Sequence, residues 1–401
     1  MKNLKSIFLF AALLLVGLSA GAYSFEVDGI YYDINSDQTT VSVTYREGYA
    51  DDVYTGNIVI PSSVTYNGNT YSVTSIGIVT FWDCRNLTSI SIPNSVTSIG
   101  EFAFNNCTSL TSIEIPNSVT SIDAYAFLGC SGLTSVIIPN SITSISEGAF
   151  RNCTSLTSAT IPNSVTSIGE SAFNSCSSLT SIEIPNSVTS IGEDAFAFCS
   201  SLTSATIPNS VTSISADAFF RCKSLTSITI PNSITYIDKY AFYDCENLTN
   251  ITIPNSVTYI GPSAFYYCPF DTVICKRDIP VTLGESAFDY GVNTILIVPC
   301  GKKSIYKSAE GWRNFNNITE DCTSVGIEDI VNESSIEVYP NPAKEKLTIK
   351  AENEVSIFNN NGQLIKVIKN IRGTKEIDIS DLQSGIYYIK TGDVTKKLIV
   401  E

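Results

Sequence analysis

Hydrophobic and polar residues follow each other along most of this chain in a pattern that returns every 23 residues. An Ile-Pro-Asn-Ser segment places its proline at this spacing from Pro93 to Pro254, and cysteine keeps the same spacing from Cys84 to Cys268. A phenylalanine precedes each of these cysteines by three residues and recurs once more at Phe288. A register of this length predicts a repeat architecture, in which each unit buries its apolar positions against its neighbours.

Within one unit, the pattern predicts a short strand and then a return of the chain to the interior. Ile113 and Ile115 alternate with a polar residue in the segment 110–115, which is typical of a strand. Stacking of the units pairs each such strand with its equivalents in a parallel sheet, and Pro116 ends the strand because proline lacks a backbone donor. The other inward positions of this unit are predicted to be Val119, Ile122, Ala126 and Phe127.

The repeated motifs resemble those of a known family. The spacing Leu-x-x-Ile-x-Ile is similar to that of leucine-rich repeats, and the accompanying Ala-Phe-x-x-Cys and Ile-Pro-Asn-Ser-Val-Thr-Ser resemble the BspA-like class of bacterial surface proteins. The resemblance covers about residues 58–320 and at least nine units, although Pro-Asn stands where the commonest leucine-rich pattern continues toward its asparagine. It implies a mostly β fold, a solenoid of 23-residue coils and a binding-type role.

A solenoid exposes its core at both ends, so each end requires a cap. Residues 23–60 contain alternating strand patterns and predict a β-rich N-terminal cap, and 61–298 predict the solenoid. Asn67-Gly68 between β-forming residues predicts a hairpin near its start. Residues 299–322 predict a C-terminal cap after a last coil strand at Ile295–Pro299, with a short helix at about 304–311 that carries Trp312 and Phe315 over the core.

The repeat ends before a polar segment, 323–334, that predicts a linker. Residues 335–401 then contain seven short alternating strands and predict a small Ig-like β-sandwich. Val338-Tyr-Pro-Asn-Pro342, Gly362-Gln363 and Leu382-Gln-Ser-Gly-Ile-Tyr-Tyr388 occur in the order found in the C-terminal sorting domain of type IX secretion substrates of Bacteroidetes, which this segment resembles. The resemblance implies recognition by the secretion machinery, passage across the outer membrane, and attachment or release at the cell surface. The alternative is an ordinary terminal Ig-like module.

The first 22 residues predict a signal peptide. Lys2 and Lys5 precede an apolar segment, 7–18, that is short for a membrane span, and Ala20-Gly21-Ala22 supplies the small residues of a cleavage site. No later segment is long and apolar enough to predict a transmembrane helix. We therefore expect a secreted or outer-surface protein.

Composition narrows the function. The chain of 401 residues has 24 basic and 39 acidic residues, a net charge of −15, and no histidine. This balance argues against a nucleic-acid-binding surface, and the absence of histidine removes the most common general base and metal ligand. The sequence predicts no catalytic, cofactor-binding or metal-binding residue, and hence a protein that is not an enzyme.

Twelve cysteines raise the question of metals and disulfides. Nine belong to the 23-residue period and none forms a Cys-x-x-Cys pair, so the usual zinc spacing is missing and we expect buried thiols that pack as small apolar groups. Cys275, Cys300 and Cys322 lie outside the period. Because exported proteins form disulfides, a Cys300–Cys322 bond is predicted, the alternative being that all three stay free.

Two functions remain open: an extracellular protein that binds a protein or glycan on host or neighbouring cells, and a structural spacer of the cell envelope. The two functions differ in whether one face is specialised. The candidate face is formed by the two positions between phenylalanine and cysteine, because they are mainly polar or small in early coils and become aromatic in later ones. The aromatic residues that we expect to form a binding stripe along one edge are Phe198, Phe220, Tyr243, Tyr266 and Tyr267. The alternative is that they only cover the approach to the C-terminal cap.

Overall fold

The computed structural model describes residues 23–46, 53–289, 293–322, 337–351, 354–359, 363–369, 371, 373–391 and 394–401. The chain forms two compact units, Met1–Glu320 and Asp321–Glu401. The predicted signal peptide, 1–22, and the predicted linker, 323–334, lie outside the described residues.

The first unit begins with a cap of antiparallel strands that merges into the coils. Strand β1 pairs with β2, and β2 with β3, whereas β3 pairs in parallel with β6. The predicted hairpin is confirmed: β5 and β6 are antiparallel and joined by Asn67 and Gly68, both at positive φ. The strands are β1 (Phe25–Val27), β2 (Ile30–Ile34), β3 (Thr40–Thr44), β4 (Gly56–Val59), β5 (Ser63–Tyr66) and β6 (Asn69–Ile76).

One face of the coils is built from parallel strands, most of which start two residues after the leucine of their coil. Their inward residues are mostly buried, and their outward residues are mainly serine and threonine. The strands are β7 (Leu87–Ser91), β10 (Ser135–Ile137), β12 (Ser158–Thr160), β14 (Ser181–Glu183), β16 (Ser204–Thr206), β18 (Ser227–Thr229), β20 (Asn250–Ile253), β22 (Thr272–Cys275) and β24 (Ile295–Pro299). The strand predicted at 110–115 is not formed, although Ile115 is buried as expected.

A second face consists of two-residue strands that end on a buried isoleucine or, in the last of them, on the half-buried Leu283. These strands are β8 (Ser98–Ile99), β9 (Ser121–Ile122), β11 (Ser144–Ile145), β13 (Ser167–Ile168), β15 (Ser190–Ile191), β17 (Ser213–Ile214), β19 (Tyr236–Ile237), β21 (Tyr259–Ile260) and β23 (Thr282–Leu283). The face is divided into three sheets, because pairing stops between β9 and β11 and again between β15 and β17.

Both interruptions coincide with a serine that directly follows the later strand of the break, Ser146 after Ile145 and Ser215 after Ile214. In most coils the residue after the isoleucine donates its backbone N–H to the isoleucine carbonyl of the preceding coil, as Gly169 does to Ile145 at 2.8 Å. Ser146 and Ser215 use their hydroxyl groups for this bond instead. Serine competes for the carbonyl with its own backbone, and the regular pairing ends there.

The core of the first unit is a stack of phenylalanine rings, one from each coil. Neighbouring ring centroids are 5.0–5.6 Å apart from Phe81 to Phe288. Tyr54 covers the first ring at 4.7 Å and Trp312 covers the last at 5.7 Å. The predicted inward position of phenylalanine is therefore confirmed, and the stack shows how the coils share one interior.

The C-terminal cap contains a short helix, α1 (Lys303–Ser308), a 3-10 turn (Trp312–Asn314) and strand β25 (Asn317–Asp321), which extends the sheet of β20, β22 and β24. The helix ends three residues before the predicted boundary. Trp312 is fully buried and its indole N–H donates to the carbonyl of Val281 at 2.7 Å, while Phe315 is 4% exposed. Their predicted placement over the core is confirmed.

The second unit has the seven predicted strands in two antiparallel sheets that form a small sandwich. One sheet has the order β26-β27-β30 and the other β29-β28-β31-β32. The interior holds mainly isoleucine, leucine and valine from both sheets. The strands are β26 (Glu337–Tyr339), β27 (Lys346–Ala351), β28 (Val355–Asn359), β29 (Leu364–Ile368), β30 (Gly373–Asp378), β31 (Gly385–Thr391) and β32 (Val394–Val400).

Candidate interaction surface

The turn that leads to each cysteine contains two residues in the left-handed backbone region. One of them directly precedes the cysteine, where φ is between 57° and 72° in all nine coils. Asparagine, aspartate and glycine adopt this conformation readily, and Asn106, Gly129 and Asn152 occupy it in early coils. Phe198 and Tyr267 occupy it in later coils, where a bulky side chain is unfavourable.

The five predicted aromatic residues lie in one continuous row along this turn. The ring centroids of Phe198 and Phe220 are 5.3 Å apart, and those of Phe220 and Tyr243 are 5.0 Å apart with nearly parallel planes. Tyr243 contacts Tyr266 at 6.0 Å and Tyr267 at 5.4 Å. We call these five residues the aromatic stripe.

Exposure varies along the aromatic stripe. Phe198 is 40% exposed and Tyr267 is 51% exposed, while Phe220, Tyr243 and Tyr266 are half-buried. Because Phe220 and Tyr243 stack face to face, their flat faces contact each other and the ring edges are left for a partner. Partial burial among the neighbouring rings raises the pKa of Tyr243, so its hydroxyl stays protonated at neutral pH.

Charged groups border the aromatic stripe on one side. The Arg221 guanidinium lies 5.9 Å from the Phe198 ring centroid and 5.5 Å from that of Phe220, within cation–π range. Its Nε is 3.1 Å from an Oδ of Asp244, and Lys223 bridges Asp244 and Glu246. The arginine is thereby held in place over the rings.

Sequence reasoning missed two contributors to this surface. Arg221 directly precedes a cysteine, and Tyr240 occupies the other left-handed position of its turn, with its ring 5.7 Å from Tyr243. Both residues lie at fixed positions of the 23-residue period, and this placement is the signal in the sequence that could have identified them. Early coils also carry a stacked aromatic pair, Phe102 and Tyr125 at 5.0 Å, so aromatic residues outside the core are not restricted to the later coils.

The cysteines at the 23-residue period are buried, and eight of them donate a hydrogen bond to the phenylalanine carbonyl of the preceding coil. The Sγ–O distances are 3.0–3.4 Å. Burial raises the pKa of Cys176 and Cys222 well above the ordinary value, which makes these thiols poor nucleophiles and poor metal ligands. Cys275 is also free and buried, and it accepts a hydrogen bond from the Tyr306 hydroxyl at 3.0 Å.

Cys300 and Cys322 are both disulfide-bonded in the structure, whereas the other ten cysteines form no disulfide. Disulfide-bonded sulfur is not a thiolate ligand, so the oxidised pair does not add a metal site. Within the part of the chain described above, no helix combines the length and the apolar character that crossing a membrane requires.

These features define the class of the protein: a leucine-rich-repeat solenoid with a separate C-terminal β-sandwich. The model of the BspA type leucine rich repeat region matches residues 56–180 and 166–295 in six copies, and the secretion system C-terminal sorting domain matches residues 337–401. Because the repeat model spans well over half of the chain, the protein belongs to the BspA-type leucine-rich repeat family, and it carries a type IX secretion sorting tail.

The chain is also similar to two solved structures. A leucine-rich repeat protein from Bacteroides ovatus is 30% identical, with a TM-score of 0.53 over 75% of this chain and 77% of that one. A leucine rich cell surface protein from Faecalibacterium prausnitzii is 28% identical, with a TM-score of 0.45 over 76% of this chain and 96% of that one. No curated protein matches the chain.

Proposed function

We propose that this protein is exported to the outer cell surface, where its solenoid binds a protein on host or neighbouring cells without catalysing a reaction. The observation that carries the proposal is the aromatic stripe, which places five partly exposed rings in contact along one edge of the coils. Aromatic residues and arginine are enriched at the centres of protein interfaces.

The left-handed backbone of Phe198 and Tyr267 supports a functional role for their side chains. Early coils use asparagine or glycine at the same position, so the fold itself does not require an aromatic residue there. A residue that opposes the local backbone preference is expected where binding, rather than stability, determines its identity. Covering the C-terminal cap is a weaker explanation, because Phe198 lies several coils before that cap.

The packing of the rings favours a protein over a glycan as the partner. Sugars bind aromatic residues through the flat ring face. Mutual stacking takes up one face of Phe220 and one face of Tyr243, and Tyr266 stacks on Tyr243 as well. Ring edges, tyrosine hydroxyls and the Arg221 guanidinium are complementary to carbonyl groups and acidic side chains of a protein.

The test is binding of the labelled full chain to epithelial cell monolayers and to immobilised matrix proteins. Saturable binding is expected, and it should be lost when Phe220, Tyr243 and Tyr266 are replaced by serine. The matched control replaces the equivalent positions of early coils by serine, namely Leu128, Arg151 and Asn174. Protease treatment of the cells should abolish binding, whereas mild periodate oxidation of glycans should not. Equal binding by both triple variants would contradict the proposal.

A structural spacer of the cell envelope is the second candidate. The continuous phenylalanine stack and the repeated hydrogen bonds between coils favour it, because they give regular length independently of any partner. This function requires no specialised surface, so it predicts that the wild-type chain binds cells without saturation.

The sorting tail and the predicted signal peptide support a two-step export route. Deletion of 337–401 should leave the chain in the periplasm, since the secretion machinery would no longer recognise it. Cell fractionation with an antibody against the solenoid measures this, and surface display of the truncated chain would contradict the proposed route.

A further inference from the structure

Three side chains that can bind a metal ion meet in the C-terminal cap: Cys300, Glu320 and Cys322. Their two Sγ atoms and one carboxylate oxygen of Glu320 all lie within 4.8 Å of one another. Two sulfur atoms that share a tetrahedral Zn²⁺ are about 3.8 Å apart, because the Zn–S bond is about 2.3 Å long. Side-chain rotation is therefore enough to bring the three atoms around one ion.

The fold of the cap brings these residues together. Cys300 directly follows β24, Glu320 lies in β25, which pairs with β24, and Cys322 directly follows β25. Glu320 and Cys322 are two residues apart and therefore point to the same side of this strand. The cysteines are 22 residues apart in the sequence, so the usual zinc spacing does not reveal the group.

The carboxylate of Glu320 is oriented by the backbone. The Lys303 N–H donates a hydrogen bond to its Oε1 at 2.7 Å, and a bond of this kind commonly fixes a carboxylate that ligates a metal. Glu320 and Cys322 are exposed and Cys300 is half-buried. A reductant and a hydrated metal ion can therefore reach the group from solvent.

The redox state of the two cysteines decides whether the group offers thiolates. In the structure both are disulfide-bonded. A dithiol reductant transfers two electrons and two protons to the S–S bond, which breaks into two thiols while the reductant becomes a disulfide. One Zn²⁺ then releases both thiol protons to solvent and forms a bond to each sulfur and to Glu320, with water as the fourth ligand.

We propose that reduction converts the Cys300–Cys322 disulfide into a Zn²⁺ site that Glu320 completes, so that the C-terminal cap stays linked in both redox states. Two thiolates select Zn²⁺ over Mg²⁺ and Ca²⁺, which prefer oxygen ligands. The site is independent of the aromatic stripe and of the function proposed for it.

The experiment titrates the reduced full chain with Co²⁺, a spectroscopic substitute for Zn²⁺. The chain is reduced with dithiothreitol under native conditions and desalted without oxygen. Charge-transfer absorption from thiolate to Co²⁺ should saturate at one ion per chain, and added Zn²⁺ should abolish it. Co²⁺ that binds only surface carboxylates does not show this absorption. The chain that keeps its disulfide should not show it, nor should the variant in which Cys300 and Cys322 are both serine.

Glu320→Gln tests the carboxylate ligand, because it removes the charge and keeps the shape of the side chain. It should weaken Co²⁺ binding about ten-fold or more. Glu310→Gln is the matched control, since Glu310 is an exposed glutamate of the same cap outside the group, and it should bind like the wild type. Equal affinities of the two variants would exclude Glu320 as a ligand and overturn the proposed site.

Hydrogen exchange of the β25 amides measures whether the metal links the cap. Exchange should be faster in the reduced chain than in the disulfide form, and Zn²⁺ should slow it about ten-fold. In the double serine variant, Zn²⁺ should have no effect. The proposal is also overturned if the reduced wild type gives no thiolate-to-Co²⁺ absorption, if the double serine variant gives the same absorption, or if Zn²⁺ leaves the exchange of β25 unchanged.

Discussion

The thiol of Cys176 donates a hydrogen bond to the carbonyl oxygen of Phe150 in the preceding coil, at 3.2 Å. The same carbonyl also accepts the backbone N–H of Cys153 at 3.3 Å. Each cysteine thereby links the turn of its own coil to the turn of the coil before it. Alanine at this position would remove the donor and leave the space of the sulfur atom empty.

The buried thiols predict a stability that falls in alkaline solution. Burial raises the pKa of Cys199 from 9.0 to about 12. Because the pKa of this thiol is higher in the folded than in the unfolded chain, the thiol stabilises the fold fully below pH 9. This contribution is lost as pH rises toward 12. For one thiol, the free energy of unfolding should fall by about 1.4 kcal/mol per pH unit in this range.

Cys199→Ala tests this prediction because it removes one such thiol. Urea unfolding at pH 8.5 and pH 10.5 should show that the stability difference between wild type and variant shrinks by about 2 kcal/mol. Wild-type and variant stabilities that decline in parallel over this range would show that the thiol does not titrate on unfolding.

The serines at the two sheet interruptions predict a local effect on backbone protection. In Ser146→Gly and Ser215→Gly the hydroxyl no longer competes for the carbonyls of Ile122 and Ile191, so the backbone N–H should take its place. Hydrogen exchange at positions 146 and 215 should slow about ten-fold. Asp123→Gly is the control, because the Asp123 N–H already donates to Ile99 at 3.0 Å and its protection should not change.

The disulfide predicts a specific alkylation pattern. After denaturation without reductant, ten cysteines of the full chain should be alkylated, and after reduction all twelve. Intact-mass analysis distinguishes the two states. Replacing Cys300 and Cys322 by serine should lower the free energy of unfolding by about 3 kcal/mol, as expected for closure of a loop of this length. Alkylation of all twelve without reductant would contradict the bond.

The repeat allowed most of the first unit to be predicted, because each position contacts its own equivalent one coil away. One sequence unit therefore predicted the buried roles of Phe127, Val119 and Ile122 in all coils. The missing strand at 110–115 and the breaks at Ser146 and Ser215 escaped prediction. The two breaks depend on which group of the serine satisfies the carbonyl of the preceding coil, and the hydrophobic period carries no information on that choice.

The interaction surface was predictable only in part. The aromatic stripe follows from side chains at equivalent positions, but the role of Tyr240 depends on a left-handed backbone that brings its ring to Tyr243.

The left-handed conformation at Phe198 yields the last prediction. Asparagine tolerates this backbone better than phenylalanine, by about 1–2 kcal/mol, while loss of the contacts of a 40%-exposed ring costs about 0.5–1 kcal/mol. Phe198→Asn should therefore leave the free energy of unfolding unchanged or raise it by up to about 1.5 kcal/mol, and it should weaken cell binding. The reverse change, Asn152→Phe, places an aromatic ring on the same backbone and should destabilise by about 1 kcal/mol. Urea unfolding of both variants measures the two effects. If Phe198→Asn destabilises as much as Asn152→Phe, the aromatic residue serves the fold, and its place in the binding surface loses its support.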